Sequence, residues 1–492
     1  MNVFLYWSWG MNSPAVRKLL EHFNASLCAY IHELEDDHID AASVKALPVY
    51  QFAPLDFYCE NESEMLPLDA KVLEGMRPYT MTAMDIINRW RRGITTDHSY
   101  ANLRKIYMIF LRYWNNLLLT NKVGFVYIQG LPHTHQLYFL YALCKIHDIP
   151  VVMQNLLPSI DATLLRSIFV INIEDQGAIF SNKIREIQKL SADNPDEITL
   201  CPEFTAYFEN YSRNAEEVKR VVLYEEKNTV KEKASKYFDR IKVYLSSKRY
   251  KILIRKALYF IWVKQKNRKL LSYIERKEIN PDLSAKYFFF PLHFQPESTT
   301  LPQGGVFVDQ LEVIRVVAAS LPEGYKLYVK EHPSYWMYTH WESMEEARSR
   351  GYYDDITAIE NVKLISHDFS SMELIDRCAG VVTVTGTAGF EAIFRSKPVL
   401  LFGSQAYSEF PGVFKIRFGE DCVKAVNQII NGEYSISCRD LRIALKAIEP
   451  FVNFVTLADT AFGGRGSVSN EDKIMLVDSM LQFTKAFYDL RI

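Results

Sequence analysis

A chain of 492 residues is longer than one hydrophobic core supports, so two domains are expected. A formal net charge of −2 leaves no global field to hold nucleic acid, and no apolar run approaches the roughly 18 residues of a membrane-spanning helix. The seven cysteines are scattered without a Cys-x-x-Cys, which argues for reduced thiols over a disulfide frame or a zinc site.

In chain order, residues 2–7 read as a buried strand. They carry no basic leader and no cleavage site, so a cytoplasmic protein is expected. Residues 8–14 form a turn holding Trp9 and Gly10, and residues 15–23 have helical spacing, with Val16, Leu19, Leu20 and Phe23 on one face. A turn after the first strand is where an α/β domain meets its ligand. Residues 81–90 and 103–119 look helical, and Arg89-Trp90-Arg91-Arg92 is either a solvated helix end or a phosphate contact. A strand at 124–129, a loop at 130–135, a helix at 136–147 and a strand at 150–154 make a βαβ unit with parallel strands. His133 and His135 then stand at a strand's carboxyl end, either as ligand contacts or as caps of the helix that follows.

From Lys236 to Lys277 there are fourteen Lys or Arg against two acids, Asp239 and Glu275. Large apolar residues, Trp262 among them, are interleaved with these bases. Such a helix either packs its apolar stripe on its own domain or lies on an anionic membrane surface.

Beyond Lys286 strands and short helices alternate: strands at 286–292, 326–330, 362–365, 380–384 and 398–402, helices at 309–320, 372–377 and 388–395. This pattern predicts a parallel, doubly wound sheet. Ser370 or Ser371 caps the 372–377 helix. After about residue 440 the chain is expected to be helical. In an open α/β sheet ligands sit off the carboxyl ends of the strands. Gln295 and Glu297, His332, Ser370 and Ser371, and Thr385 and Thr387 all fall there.

Thr385-Gly386-Thr387-Ala388-Gly389 is a strand-turn-helix junction. Its hydroxyls and helix N-terminus suit a phosphate, and its small residues are expected to leave backbone N–H groups open; equally, they allow close helix–strand packing. Glu391, one turn on, suits ribose hydroxyls. His332, restricted by Pro333, can donate to a phosphate oxygen or assist a leaving group. Glu297 is the first candidate for the carboxylate that glycosyl transfer needs, ahead of Glu331 and Asp161. No Asp-x-Asp is present, so no metal is expected.

Taken together, residues 290–297, Lys330-Glu331-His332-Pro333, residues 383–392, Lys397-Pro398-Val399-Leu400-Leu401-Phe402-Gly403 and the Gly130-Leu131-Pro132-His133 loop resemble the capsule polysaccharide biosynthesis proteins. That family includes bacterial transferases of Kdo and of nonulosonic acids. The resemblance implies a GT-B fold, two Rossmann-like domains facing a cleft, with a CMP-activated acidic sugar as donor and no cofactor. It implies an acceptor-side domain at 1–204, a basic helical insert at 205–283, a nucleotide-sugar domain at 284–440 and a helical segment at 441–492 crossing back to the first domain. By position it implies CMP contacts from His332, Ser370, Ser371, Thr385 and Thr387. Gln295, Lys330, Gly386 and Glu391 complete the donor side, His332 and Glu297 are the catalytic pair, and Trp9, Gly10, His133 and His293 stand towards the acceptor or donor sugar. The acceptor is expected to be a glycan or lipid-linked glycan at the inner face of the membrane. A UDP-sugar transferase or epimerase, and a non-catalytic scaffold of a glycan-assembly complex, are the competing readings.

Overall fold

The computed structural model describes residues 1–7, 13–24, 26–32, 45–48, 55–59, 62–94, 99–157, 164–190, 198–211, 250–294, 300–332, 348–456 and 468–488. Within them the strands form two sheets. The first contains β1 (Asn2–Tyr6), β2 (Ser26–His32), β3 (Lys45–Pro48), β4 (Val123–Ile128), β5 (Val151–Leu156), β6 (Leu164–Val170) and the late strand β13 (Val452–Thr456), in the order β13-β6-β5-β4-β1-β2-β3. The second contains β7 (Lys286–Pro291), β8 (Tyr325–Lys330), β9 (Val362–Ile365), β10 (Gly380–Thr383), β11 (Val399–Leu401) and β12 (Val413–Lys415), in the order β12-β11-β10-β7-β8-β9. All pairs of the second sheet are parallel. In the first sheet β5–β6 and β6–β13 are antiparallel and the rest parallel, including the expected β4–β5 pair. Two Rossmann-like units of this kind make the GT-B architecture.

The second sheet shows why its strands are legible as apolar runs. In β7, Tyr287 and Phe289 enter one buried layer and Phe288 and Phe290 the other. Val381 and Val382 of β10 divide the same way, as do Tyr328 and Val329 of β8. A parallel sheet covered on both faces needs apolar residues at every position, so alternation of polarity disappears.

One element departs from expectation. The segment after residue 440 is not wholly helical: β13 joins the first sheet beside β6 before the helix Asn470–Tyr488 begins. That helix packs on Pro14–His22, with Lys18 paired to Asp478 and Tyr488 bonded through its hydroxyl to the Val151 backbone. Within the basic segment, Tyr250–Glu275 is one helix of 26 residues. Val263, Asn267, Leu270 and Ile274, spaced along one face, are fully buried, and Leu270 and Ile274 belong to the second unit's core. Tyr273 and Lys277 both reach Asp354 of that unit. Residues 212–249 lie outside the described residues. No described helix is long and apolar enough to cross a membrane.

The units meet at a polar seam. The Gln176 N–H donates to Ser404 Oγ at 2.8 Å and its amide Nε2 to the Ser404 carbonyl at 3.1 Å. Arg417 reaches the Glu174 carbonyl at 3.4 Å.

Candidate functional site

Four adjacent strands, β10, β7, β8 and β9, end side by side, and the second unit's candidate residues follow them. After β10 the chain turns into the helix Thr387–Phe394, with Gly386 at the N-cap and no side chain capping it. The free N–H groups at the start of a helix carry the positive end of its dipole. Not all N–H groups of this turn stay open, as the sequence suggested. Those of Val384 and Thr385 donate to His293 Nε2 at 3.2 Å each, and that of Gly386 donates to Thr383 Oγ1 at 2.9 Å. Thr387 and Ala388 are therefore left to present theirs. The Gly386 and Thr385 carbonyls are held by Tyr407 at 2.6 Å and Gln405 at 2.7 Å. Thr385 is 4% exposed, and its hydroxyl has no partner among the described residues. A buried hydroxyl without a partner costs about 1–3 kcal/mol.

The glycines serve two purposes here. A Cβ on Gly386 would stand 2.9 Å from Thr383 Oγ1 and 3.0 Å from His293 Cε1. One on Gly389 would stand 2.7 Å from the Tyr407 hydroxyl and 2.9 Å from Thr383 Cγ2. Gly389 thus allows close helix–strand packing, while Gly386 keeps the turn over an imidazole.

At the end of β8, Lys330 is buried and donates through Nζ to Ser371 Oγ at 3.0 Å. Ser370 caps the helix Ser371–Arg377, accepting from the Glu373 N–H. Glu331 is buried against Arg348, which donates to both carboxylate oxygens; the Tyr353 hydroxyl at 2.6 Å and the His332 N–H at 2.6 Å also donate to it. A carboxylate so occupied is a structural anchor, not a free base. His332 lies partly buried beside Phe294, ring centroids 6.0 Å apart. Burial pushes its imidazole down to about 4; Glu331 opposes this, and Arg348 and Lys330 add to it. It is neutral at pH 7 and so carries one N–H to donate.

His293 was expected towards the sugar. It is instead buried inside the turn, its ring pushed down to about 3 by burial and then by His332 and Arg348. His133 is half-buried in the first unit, its Nδ1 2.9 Å from the Leu131 carbonyl, while Arg89 donates to its own carbonyl. Arg89 is thus neither a purely solvated helix end nor a bare phosphate contact. Thr134, not a histidine, caps the helix His135–Ile146. His135 is buried and stacked on Phe110 at 4.5 Å. Thr387 is exposed and Glu391 half-buried on the next turn. Trp9, Gly10, Gln295, Glu297, Asp161 and Pro333 lie outside the described residues. Arg348, Gln310, Thr383 and Gln405 are structural members of the site that the sequence did not flag. Thr383 opens the 383–392 stretch but was not singled out within it; Arg348, Gln310 and Gln405 sit in no motif and act through contacts distant in sequence.

Residues 203–417 match the family described as capsule polysaccharide biosynthesis protein. The match spans every strand of the second sheet, and so includes the whole turn just described. Among curated proteins none matches the chain. Among solved structures the chain is similar to Thermosulfurimonas dismutans KpsC, a beta Kdo 2,7 transferase, at 12% identity and TM-score 0.29, with 81% of this chain and 96% of that one covered. It is also similar to the UDP-GlcNAc 2-epimerase of Neisseria meningitidis, at 13% identity and TM-score 0.27, with 98% and 100% covered.

Proposed function

We propose that this protein is a glycosyltransferase of capsule synthesis that moves a CMP-activated keto-sugar acid, a nonulosonic acid or Kdo, onto a capsular or surface glycan without a metal ion. The observation that carries the reading is the Thr385 hydroxyl. It is buried and without a partner among the described residues, one residue before an uncapped helix N-terminus, inside the segment that matches the capsule family. A monophosphate diester has one negative charge to neutralise. The N–H groups of Thr387 and Ala388, the Thr385 hydroxyl and the nearby Lys330 ammonium supply that without a cation.

In the reaction the anomeric carbon–oxygen bond to CMP breaks and a bond to an acceptor hydroxyl forms. Neutral His332 donates a hydrogen bond to the departing phosphate, Glu391 accepts from the ribose, and Glu297 takes the acceptor proton. Trp9, Gly10 and His133 of the first unit are assigned to the acceptor or donor-sugar side. The basic helix 250–275 supplies a contact to anionic lipid. Ile261 and Trp262 are about half exposed, with Lys266 4.8 Å over the Trp262 ring and Lys264, Arg268 and Lys269 around them.

Thermal shift tests the donor, because a ligand that binds only the folded state raises its melting temperature. CMP is expected to protect and UDP not to; protection by UDP alone would reverse the assignment in favour of a UDP-sugar enzyme.

A further inference from the structure

The turn after β10 has fewer open donors than its composition implies, because an imidazole occupies part of it. His293 is pinned by its backbone on both sides. Gln310 accepts its N–H at 2.7 Å, and Gln310 and Arg348 donate to its carbonyl. Arg348 is in turn locked on the buried Glu331 carboxylate, which fixes the backbone that carries the ring. From this position Nε2 accepts the Val384 and Thr385 N–H groups, and the ring edge lies under Gly386. The Gly386 N–H is taken by Thr383. The turn retains the N–H groups of Thr387 and Ala388 and the Thr385 hydroxyl. Three donors within four residues match in number the oxygens of one phosphoryl group. A second group would need partners where the imidazole stands. Burial keeps that imidazole neutral, so its lone pair remains an acceptor at neutral pH.

We propose that His293 is a specificity-determining residue, an internal plug that limits the turn to a single phosphoryl group and thereby favours monophosphate-linked donors over diphosphate-linked ones. This rests on the reading of the turn as the donor-phosphate site.

Calorimetric titration of the full chain with CMP and CDP, which share a base, tests it. CMP is expected to bind about ten- to a hundredfold more tightly than CDP, the worth of charge-assisted hydrogen bonds gained or missed. His293→Ala releases two N–H groups and vacates the ring's space, so the ratio should move towards CDP by about tenfold or more. His293→Gln, whose amide oxygen can accept the same N–H groups, should retain the original ratio. Unaltered protein that binds CDP as well as CMP overturns the proposal with no variant needed. A folded His293→Ala protein with both affinities lowered and the ratio unchanged overturns it too, since that is what a merely structural residue gives. UMP and UDP, titrated alongside, separate this from the underlying reading. UMP binding as tightly as CMP removes the cytosine assignment and leaves the mono- to diphosphate comparison as the test of His293. No binding of any of the four removes both.

Discussion

At the scale of single residues, the site depends on histidines kept neutral by burial. His332 is the one that remains partly accessible. If it donates to the donor phosphate, His332→Ala should weaken CMP binding about ten- to a hundredfold while the melting temperature stays near that of the parent, because a strand-end side chain carries little core packing. Calorimetry with CMP beside a thermal melt reads both; lost stability with unchanged affinity in the folded fraction would make His332 structural. The buried rings also set a pH dependence. His293 and His135 are held at about 3 against an unfolded value near 6.5. Between those values the unfolded chain binds more protons than the folded one. Stability should therefore fall as pH drops through that window, by about 1.4 kcal/mol per pH unit per group, and hold steady above it. Denaturant midpoints at pH 7 and pH 5 measure the slope. His135→Phe, a ring that fits the same stack on Phe110, should flatten it; an unchanged slope would exonerate His135. The sequence places His332 at the end of a strand and before a proline, and the structure puts it at the end of β8. The inward turn of His293 was not legible: nothing in Leu292-His293-Phe294 says that its ring meets two N–H groups some ninety residues later.

At the scale of elements, β7 to β11 were readable because each is an apolar run bounded by Gly, Pro or polar residues. β6 and β13 were not. Leu164-Leu165-Arg166-Ser167-Ile168-Phe169-Val170 and Val452-Asn453-Phe454-Val455-Thr456 each carry polar residues in mid-strand, and they specify each other across most of the chain. Such pairing leaves no local trace. The basic helix held two signals at once. Its Val263-Asn267-Leu270-Ile274 face packs, as one reading required, and its opposite side still carries Trp262 among lysines. Sedimentation with vesicles should then require anionic lipid and weaken as salt rises, since a Debye length near 10 Å at 0.1 M screens such contacts. Trp262→Ala with Lys264→Glu should abolish it. Equal sedimentation with neutral vesicles would leave the helix a packing element alone.

At the scale of the whole molecule, the strand order has a consequence for how the protein is made. The first unit is almost complete in the nascent chain by residue 170, yet β6 keeps an unpaired edge until β13 arrives. Between the two lies the entire second sheet, a synthesis interval on the order of tens of seconds at about 5–20 residues per second. The second unit thus emerges from the ribosome with all its strands while the earlier one still waits with an open hydrogen-bonding ladder. The antiparallel pairing of β6 with β5 limits that edge to one strand. Assembly therefore runs against the order of translation: the last-made strand finishes the first-made sheet, and the helix after it fastens onto the first one.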